Sequence, residues 1–437
     1  MRLVILGGGG FRVPMVYRAL VSRPELGIDD VVLYDVDLAR LQVIHAVLEP
    51  FPGVRLTLTD SLIDAMTGAD IVFSALRVGG AAGRVRDERR ALRAGLLGQE
   101  TVGAGGLSFG LRTLPVALAA AAVQHEVAPG AWLINFTNPA GMLTAALSNV
   151  LGQRVIGICD SPIGLVRRSA RALGLTAADV EFDYAGINHL GWLTSLRQHG
   201  RELLPQLLGD DELLATTEEG RLFGAARLQS LQAIPNEYLY FYYAAAEITQ
   251  ALGQRRTRGE VVLEEQGNFY RQAATEGTDA AALWEQARTH REQSYLAEAR
   301  TTQRDELDLH GGGYEQVALD LVEALTSGTP KQLIVNARNG GAFHQFPSDF
   351  LMETSCTVDG FGAHPIAGPD LPLHQLGLVS VVRAAEEAII LAVTERSKEA
   401  AVHGFAIHPL IGSRKIAVEL LDSIIDDEPS VAQLLGI

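Results

Sequence analysis

The chain of 437 residues carries 52 acidic against 36 basic side chains, a formal net charge of −16, with 47% hydrophobic and 20% charged residues. This balance excludes a disordered chain and argues against nucleic acid or an anionic membrane as partner, since both reward a basic surface. The length exceeds what one ordinary core serves, so two domains sharing a large interface are expected.

The opening MRLVILGGGG lacks the basic region, long apolar run and cleavage site of a signal peptide, and reads as a strand at 2–6 entering a glycine turn. Pro14 stands where the first turn of a helix tolerates proline. Further apolar runs lie at 30–34, ending at Asp35, and at 54–58, 70–76, 132–136 and 154–158, with helical stretches at 38–48, 111–124 and 141–150 between them. Six strands alternating with helices predict an α/β fold whose residues 1–170 form a Rossmann-like, doubly wound, mostly parallel sheet. The most apolar stretch, 114–123, is about half the length that spans a bilayer and reads as a buried helix.

Beyond 158 the pattern changes. A helix begins near Pro162, residues 181–187 alternate weakly as an antiparallel strand would, and helical periodicity dominates from Arg221, as at 379–393 and 415–425. Gly311-Gly312-Gly313 and Asn339-Gly340-Gly341 mark tight turns. Residues 171–437 are therefore expected to form a C-terminal α+β domain, largely helical. Two cysteines, Cys159 and Cys356, make no disulfide framework, which suits a reducing cytoplasm.

The turn Gly7-Gly8-Gly9-Gly10 meets two positions of a G-x-G-x-x-G fingerprint, through Gly7 and Gly9, while Arg12 occupies the third. Glycine lets the backbone approach a pyrophosphate at a helix N-terminus. Asp35, ending the second strand, can accept both ribose hydroxyls and would repel a 2′-phosphate, which favours NAD over NADP. Arg12 either reaches a phosphate or alters how the helix packs. Cys159-Asp160 ends the sixth strand, where open α/β sheets place ligands, and His189 follows in GINHL at 186–190. A lone Cys or His is more often structural, and this spacing matches no zinc motif. Arginines cluster at 84–93 and at 255–258, as solvated helix faces or as anion contacts.

Several longer segments resemble the NAD- and manganese-dependent glycosidases of glycoside hydrolase family 4, over essentially the whole chain. They are LGGGG at 6–10, YDVD at 34–37, RVGGAAGRVRDE at 77–88 and GLLGQETVGAGG at 95–106. NFTNPAG at 135–141, CDSP at 159–162, GINHLGW at 186–192 and IPNEYL at 234–239 complete the set. RVGG, GLLGQET and NARNGG at 336–341 resemble the 6-phospho-β-glucosidases in particular. Cys159-Asp160 is closer to the pattern of the 6-phospho-α-glucosidases, so that activity, or cleavage of an unphosphorylated α-glycoside, is the alternative.

The resemblance implies a cofactor, NAD⁺, on Gly7, Gly8, Gly9, Gly10, Asp35 and Arg77, and Mn²⁺ or another divalent ion on Cys159 and His189. It implies hydride removal from C3 of the sugar, deprotonation at C2, elimination of the leaving group, addition of water and return of the hydride, a route outside the usual two-carboxylate scheme. Tyr238 is the implied base, with Tyr240, Tyr242 and Tyr243 as competitors in the sequence, and Asp160 the implied general acid. A phenol ordinarily titrates near 10, so a base role calls for a nearby cation. Arg84 and Arg258 are implied contacts to sugar or phosphate, and Asn138 and Asn188 to substrate. A homodimer or homotetramer is expected. An NAD-dependent 2-hydroxy-acid dehydrogenase and a non-catalytic NAD sensor are the competing classes; the first would need a histidine base paired with an acid, and no His-Gly-Asp-like segment occurs.

Overall fold

Alternation along strand β1 (Arg2–Leu6) sends Leu3 and Ile5 into one core layer and Val4 and Leu6 into the other, so the strand is covered on both faces. The same holds for β2 (Asp30–Tyr34), where Val31 and Leu33 oppose Val32. The computed structural model describes residues 1–252, 255–293 and 313–437; Gly311 and Gly312 of the first glycine triplet lie outside them.

With β3 (Arg55–Thr59), β4 (Ile71–Ser74), β5 (Trp132–Asn135) and β6 (Val155–Gly157), these strands pair in parallel in the order β3-β2-β1-β4-β5-β6. This is the doubly wound dinucleotide-binding order, and it matches the expected six strands. Beyond β6 the sheet continues without a break but changes direction. β7 (Glu181–Ile187), β8 (Leu190–Gln198), β9 (Arg201–Glu202), β10 (Ile234–Pro235), β11 (Lys331–Arg338), β12 (Leu351–Asp359) and β13 (Gly362–Pro365) are joined by antiparallel pairs. β11 joins the two halves by pairing Asn336 with Gly157 of β6.

The helical reading from Arg221 onward missed β11, β12 and β13. β11 carries an apolar run of β-branched character, Leu333 to Val335, directly after the Gly328–Pro330 turn, but it is too short to separate strand from buried helix by period. The Asn339-Gly340-Gly341 turn is present, with positive φ at both glycines.

One face of the parallel half is covered by the helices Val13–Val21, Leu38–Leu48 and Tyr314–Ser327. The other is covered by Gly103–Val127 and Ala140–Leu151, on which Leu373–Thr394 packs, with Lys398–Ile407 also against Gly103–Val127 and Arg414–Asp427 packed behind it on Lys398–Ile407. C-terminal side chains such as Ile389, Phe405 and Leu420 thus share a core with Val4 and Val72. The helix expected at 111–124 runs from Gly103 to Val127. It is long and apolar enough to cross a membrane, yet 61% of its most apolar window is buried inside the fold, the position of a core helix. Its glycine-rich start, which lies before the helical stretch expected from the sequence, is buried throughout 103–110.

Candidate active site

The carboxyl ends of β1, β2, β4, β5 and β6 open onto one cavity of about 950 Å³. Gly7, Gly10, Asp35, Arg77, Arg84, Asn138, Cys159, Asp160, His189, Tyr238 and Arg258 all line it. Residues read from distant parts of the sequence therefore meet in one place.

At the end of the cavity nearest the glycine turn, the amides of Gly7 and Gly8 both donate to the Tyr34 carbonyl, at 2.9 and 2.8 Å, which ties that turn to the end of β2. Gly7 has φ +82°, and an added Cβ would lie 2.6 Å from the Ala75 carbonyl oxygen, so only glycine fits. Gly8 and Gly9 shape the turn without lining the cavity. The Gly9 amide donates to Asp35 Oδ2 at 3.0 Å and the Asp37 amide to Asp35 Oδ1 at 3.1 Å, which fixes the carboxylate at the tip of β2. Arg12, in the third fingerprint position, lies over the rings of Phe136 and Tyr314, 5.5 and 5.0 Å from their centroids, and lines the cavity.

Two carboxylates, the buried Glu88 and the largely buried Glu100, organise the arginines. Glu100 pairs with Arg77 and with Arg84 Nη1, the latter at 2.6 Å. Burial raises the Glu100 pKa, but Arg77 and Arg84 more than offset it and hold the group at about 2. Glu88 accepts from Arg84 Nε at 2.6 Å and, through its other oxygen, from the Gly259 amide at 2.8 Å, which brings the Thr257-Arg258 turn against the Arg84 helix. Arg258 in turn donates to the Arg291 carbonyl at 2.9 Å. Arg291 also lines the cavity; burial, then the charges of Arg12, Arg77, Arg258 and Arg84, bring its guanidinium down to about 9. Five arginines therefore converge on one wall of a strongly acidic protein, a field suited to a dianionic group. Glu100 falls in the GLLGQETVGAGG segment but was given no role there, and nothing local distinguishes Arg291 from other charged residues.

Cys159 follows β6, and Asp160 is the N-cap residue of the helix Ser161–Ala172, with no side-chain capping hydrogen bond. His189 occupies the two-residue turn between β7 and β8 with φ +62°, a left-handed conformation uncommon for a residue with a Cβ. Pairing of β10 with β8 carries the following turn, with Tyr238, to the same place: Asn236 N donates to the Gly191 carbonyl at 2.8 Å, and Asn236 Oδ1 accepts from Tyr238 N at 3.0 Å. The rings of His189 and Tyr238 stack in parallel at 3.7 Å between centroids. The competing tyrosines sit elsewhere: Tyr240 and Tyr243 pack edge-on against Phe223, and Tyr242 lies beside His408. None of these three lines the cavity.

Burial drives the His189 imidazole down to about 3, so it is neutral at pH 7, the form that binds metal. Burial, then the Glu353 and Asp160 carboxylates, raise the Cys159 thiol well above its ordinary value. A thiol pressed by two carboxylates and a neutral imidazole, both lining one cavity, are donors that suit a divalent cation, and these residues fit such an ion. Among the described residues no three His, Cys, Asp or Glu side chains converge as ligands.

Asn188 does not line the cavity; its Nδ2 donates to Glu353 Oε1 at 2.9 Å. Glu353 and Asn336, both fully buried, lie on the strands that the sequence reading missed. Also unforeseen is a buried network in which Arg168 pairs with Glu219 at 2.5 Å and with Glu237 at 2.9 Å, while Ser161 Oγ donates to Glu237 at 3.3 Å. It links the turn carrying Tyr238 to the helix that follows Asp160.

Comparison with known proteins accords with this geometry. Residues 2–175 match the model of the family 4 glycosyl hydrolases, and residues 184–411 match that family's C-terminal domain. A probable 6-phospho-β-glucosidase of Bacillus subtilis is 30% identical, covering 98% of this chain and 96% of its own. A maltose-6′-phosphate glucosidase of the same organism is 26% identical over 97% and 95% of the two chains. The solved 6-phospho-β-glucosidase of Thermotoga maritima with manganese, NAD⁺ and glucose-6-phosphate superposes with a TM-score of 0.84 at 25% identity, covering 99% of each chain. By sequence over most of its length, and by a shared fold, the chain belongs to family 4 of the glycosyl hydrolases, enzymes that cleave glycosidic bonds.

Proposed function

We propose that this enzyme hydrolyses 6-phosphoglucosides, with β-linked substrates preferred, using NAD⁺ and a divalent metal. Residues 1–170 would carry the cofactor and residues 171–437 complete the substrate side. The observation that carries the reading is a single cavity holding the glycine turn with Asp35, the Cys159–His189 pair and five arginines. The relatives' names add support, since they act on phosphorylated glucosides of both anomers.

When bound, NAD⁺ supplies a hydride acceptor and the divalent ion Lewis acidity toward sugar oxygens. Cys159 and His189 would hold the ion, and Gly7 to Gly10, Asp35 and Arg77 the dinucleotide. Tyr238, its ring fixed face to face with His189, takes the proton from C2. Asp160, beside Cys159 in the cavity wall, donates a proton to the departing glycosidic oxygen. Asn138 hydrogen-bonds a sugar hydroxyl, and Arg84 and Arg258, within the cationic wall, hold the 6-phosphate through planar, charge-assisted contacts. Elimination after C2 deprotonation tolerates either anomer more readily than direct displacement, so Asp160 next to Cys159, as in the α-specific pattern, favours a second reading with α-linked substrates.

The test is hydrolysis of paired α- and β-linked 6-phosphoglucosides and their unphosphorylated counterparts in deuterated solvent, with NAD⁺ and Mn²⁺. Product glucose-6-phosphate carrying deuterium at C2, lost on chelation and restored by Mn²⁺, is the expected result. A wholly protiated C2, or activity indifferent to chelation, overturns the mechanism; faster cleavage of the α-linked partner overturns the anomeric preference.

A further inference from the structure

Behind the Cys159–His189 pair lies a carboxylate that the proposed chemistry does not use. Glu353 is fully buried on β12 and does not line the cavity. Four groups converge on it: the His189 backbone amide, Asn188 Nδ2 at 2.9 Å, Asn336 Nδ2 at 3.0 Å and the Tyr184 hydroxyl at 3.3 Å. All four donors are neutral. Its contact with the His189 amide places it directly behind one of the two proposed metal ligands.

The contacts have a positioning consequence as well. His189 sits at φ +62°, a conformation that a Cβ-bearing residue holds only when its surroundings impose it. Glu353 grips both residues of that turn, by the His189 amide and the Asn188 side chain. Its bond to Tyr184 continues to Asn236 Nδ2 at 3.4 Å, and Asn236 holds the Tyr238 amide. One buried carboxylate therefore organises both rings of the His189–Tyr238 stack.

We propose that Glu353 is the positioning residue of the metal site: it fixes the His189 turn and, through Tyr184 and Asn236, the Tyr238 ring stacked on it, so that a divalent cation on Cys159 and His189 meets ligands already set in place. This rests on the ligand assignment made above. Groups of this kind, one shell removed from a metal, change its affinity by about 10–100-fold when altered.

The experiment is a Mn²⁺ titration of the full-length protein, followed by the loss of the electron paramagnetic resonance signal of free Mn²⁺, for the parent, Glu353→Gln and Cys159→Ser. Glu353→Gln keeps the shape and removes the charge. It is expected to weaken Mn²⁺ by about 10–100-fold while NAD⁺ affinity stays that of the parent, a split that general unfolding would not produce. Parental Mn²⁺ affinity in Glu353→Gln, with Cys159→Ser weakened, overturns the role of Glu353 alone. Parental affinity in Cys159→Ser overturns the ligand assignment, and the role of Glu353 with it. Should Glu353→Gln fail to fold, Asn188→Ala, at a half-buried turn position, removes one donor and keeps the charge. A several-fold weaker Mn²⁺ affinity is then expected, and an unchanged one refutes the proposal.

Discussion

Replacing Glu100 by glutamine removes the one charge that both Arg77 and Arg84 Nη1 share, and leaves two guanidinium groups beside Arg12, Arg258 and Arg291. The side chain is only 12% exposed, so solvent screens the pairs little. Burial acts against its charge, yet Arg77 and Arg84 hold the carboxyl at about 2 against an ordinary 4.5. At 1.36 kcal/mol per pH unit this difference corresponds to roughly 3 kcal/mol of folding stability at neutral pH. The folded-state value is the lower one, so the contribution is complete above about pH 4.5 and fades as the pH falls toward 2. Urea unfolding of parent and Glu100→Gln should therefore differ by about 3 kcal/mol at pH 7 and by about 2 kcal/mol at pH 3.5. A gap below about 1 kcal/mol at pH 7, or one that widens on acidification, would refute the reasoning, because it would mean that the carboxylate is not held ionised by those arginines.

Two further outcomes follow from the site. Gly7→Ala puts a Cβ 2.6 Å from the Ala75 carbonyl oxygen at a backbone angle that alanine resists, so NAD⁺ affinity, measured by fluorescence titration, should fall at least about tenfold; an affinity within twofold of the parent contradicts the close-approach argument. Tyr238→Phe keeps the ring on His189 and removes only the hydroxyl. In steady-state assays with a phosphoglucoside, kcat should drop by about 10²–10⁴-fold with Mn²⁺ and NAD⁺ affinities unchanged, and a loss under tenfold would remove Tyr238 as the base.

Local chemistry was enough to read the cofactor half from the chain. The six apolar runs, the glycine turn and Asp35 act through neighbours a few residues away, because period, turn geometry and strand-to-helix order are local properties. Strand order made Cys159-Asp160 a candidate and His189 a weaker one, but their roles, and Tyr238 altogether, came from resemblance, since none of them carries a spacing that distinguishes it. That they meet was decided by antiparallel pairing: β8 with β7 forms the His189 turn, and β10 with β8 brings Tyr238 onto its ring. The choice of Tyr238 over three neighbouring tyrosines likewise belongs to packing, which turns those three toward Phe223 and His408. Glu100 lay within the GLLGQET segment without a role of its own, and Arg291 and Glu353 had no signature at all. A charged residue's role depends on what surrounds it after folding, and burial among distant partners is a property of the assembled structure rather than of any stretch of sequence.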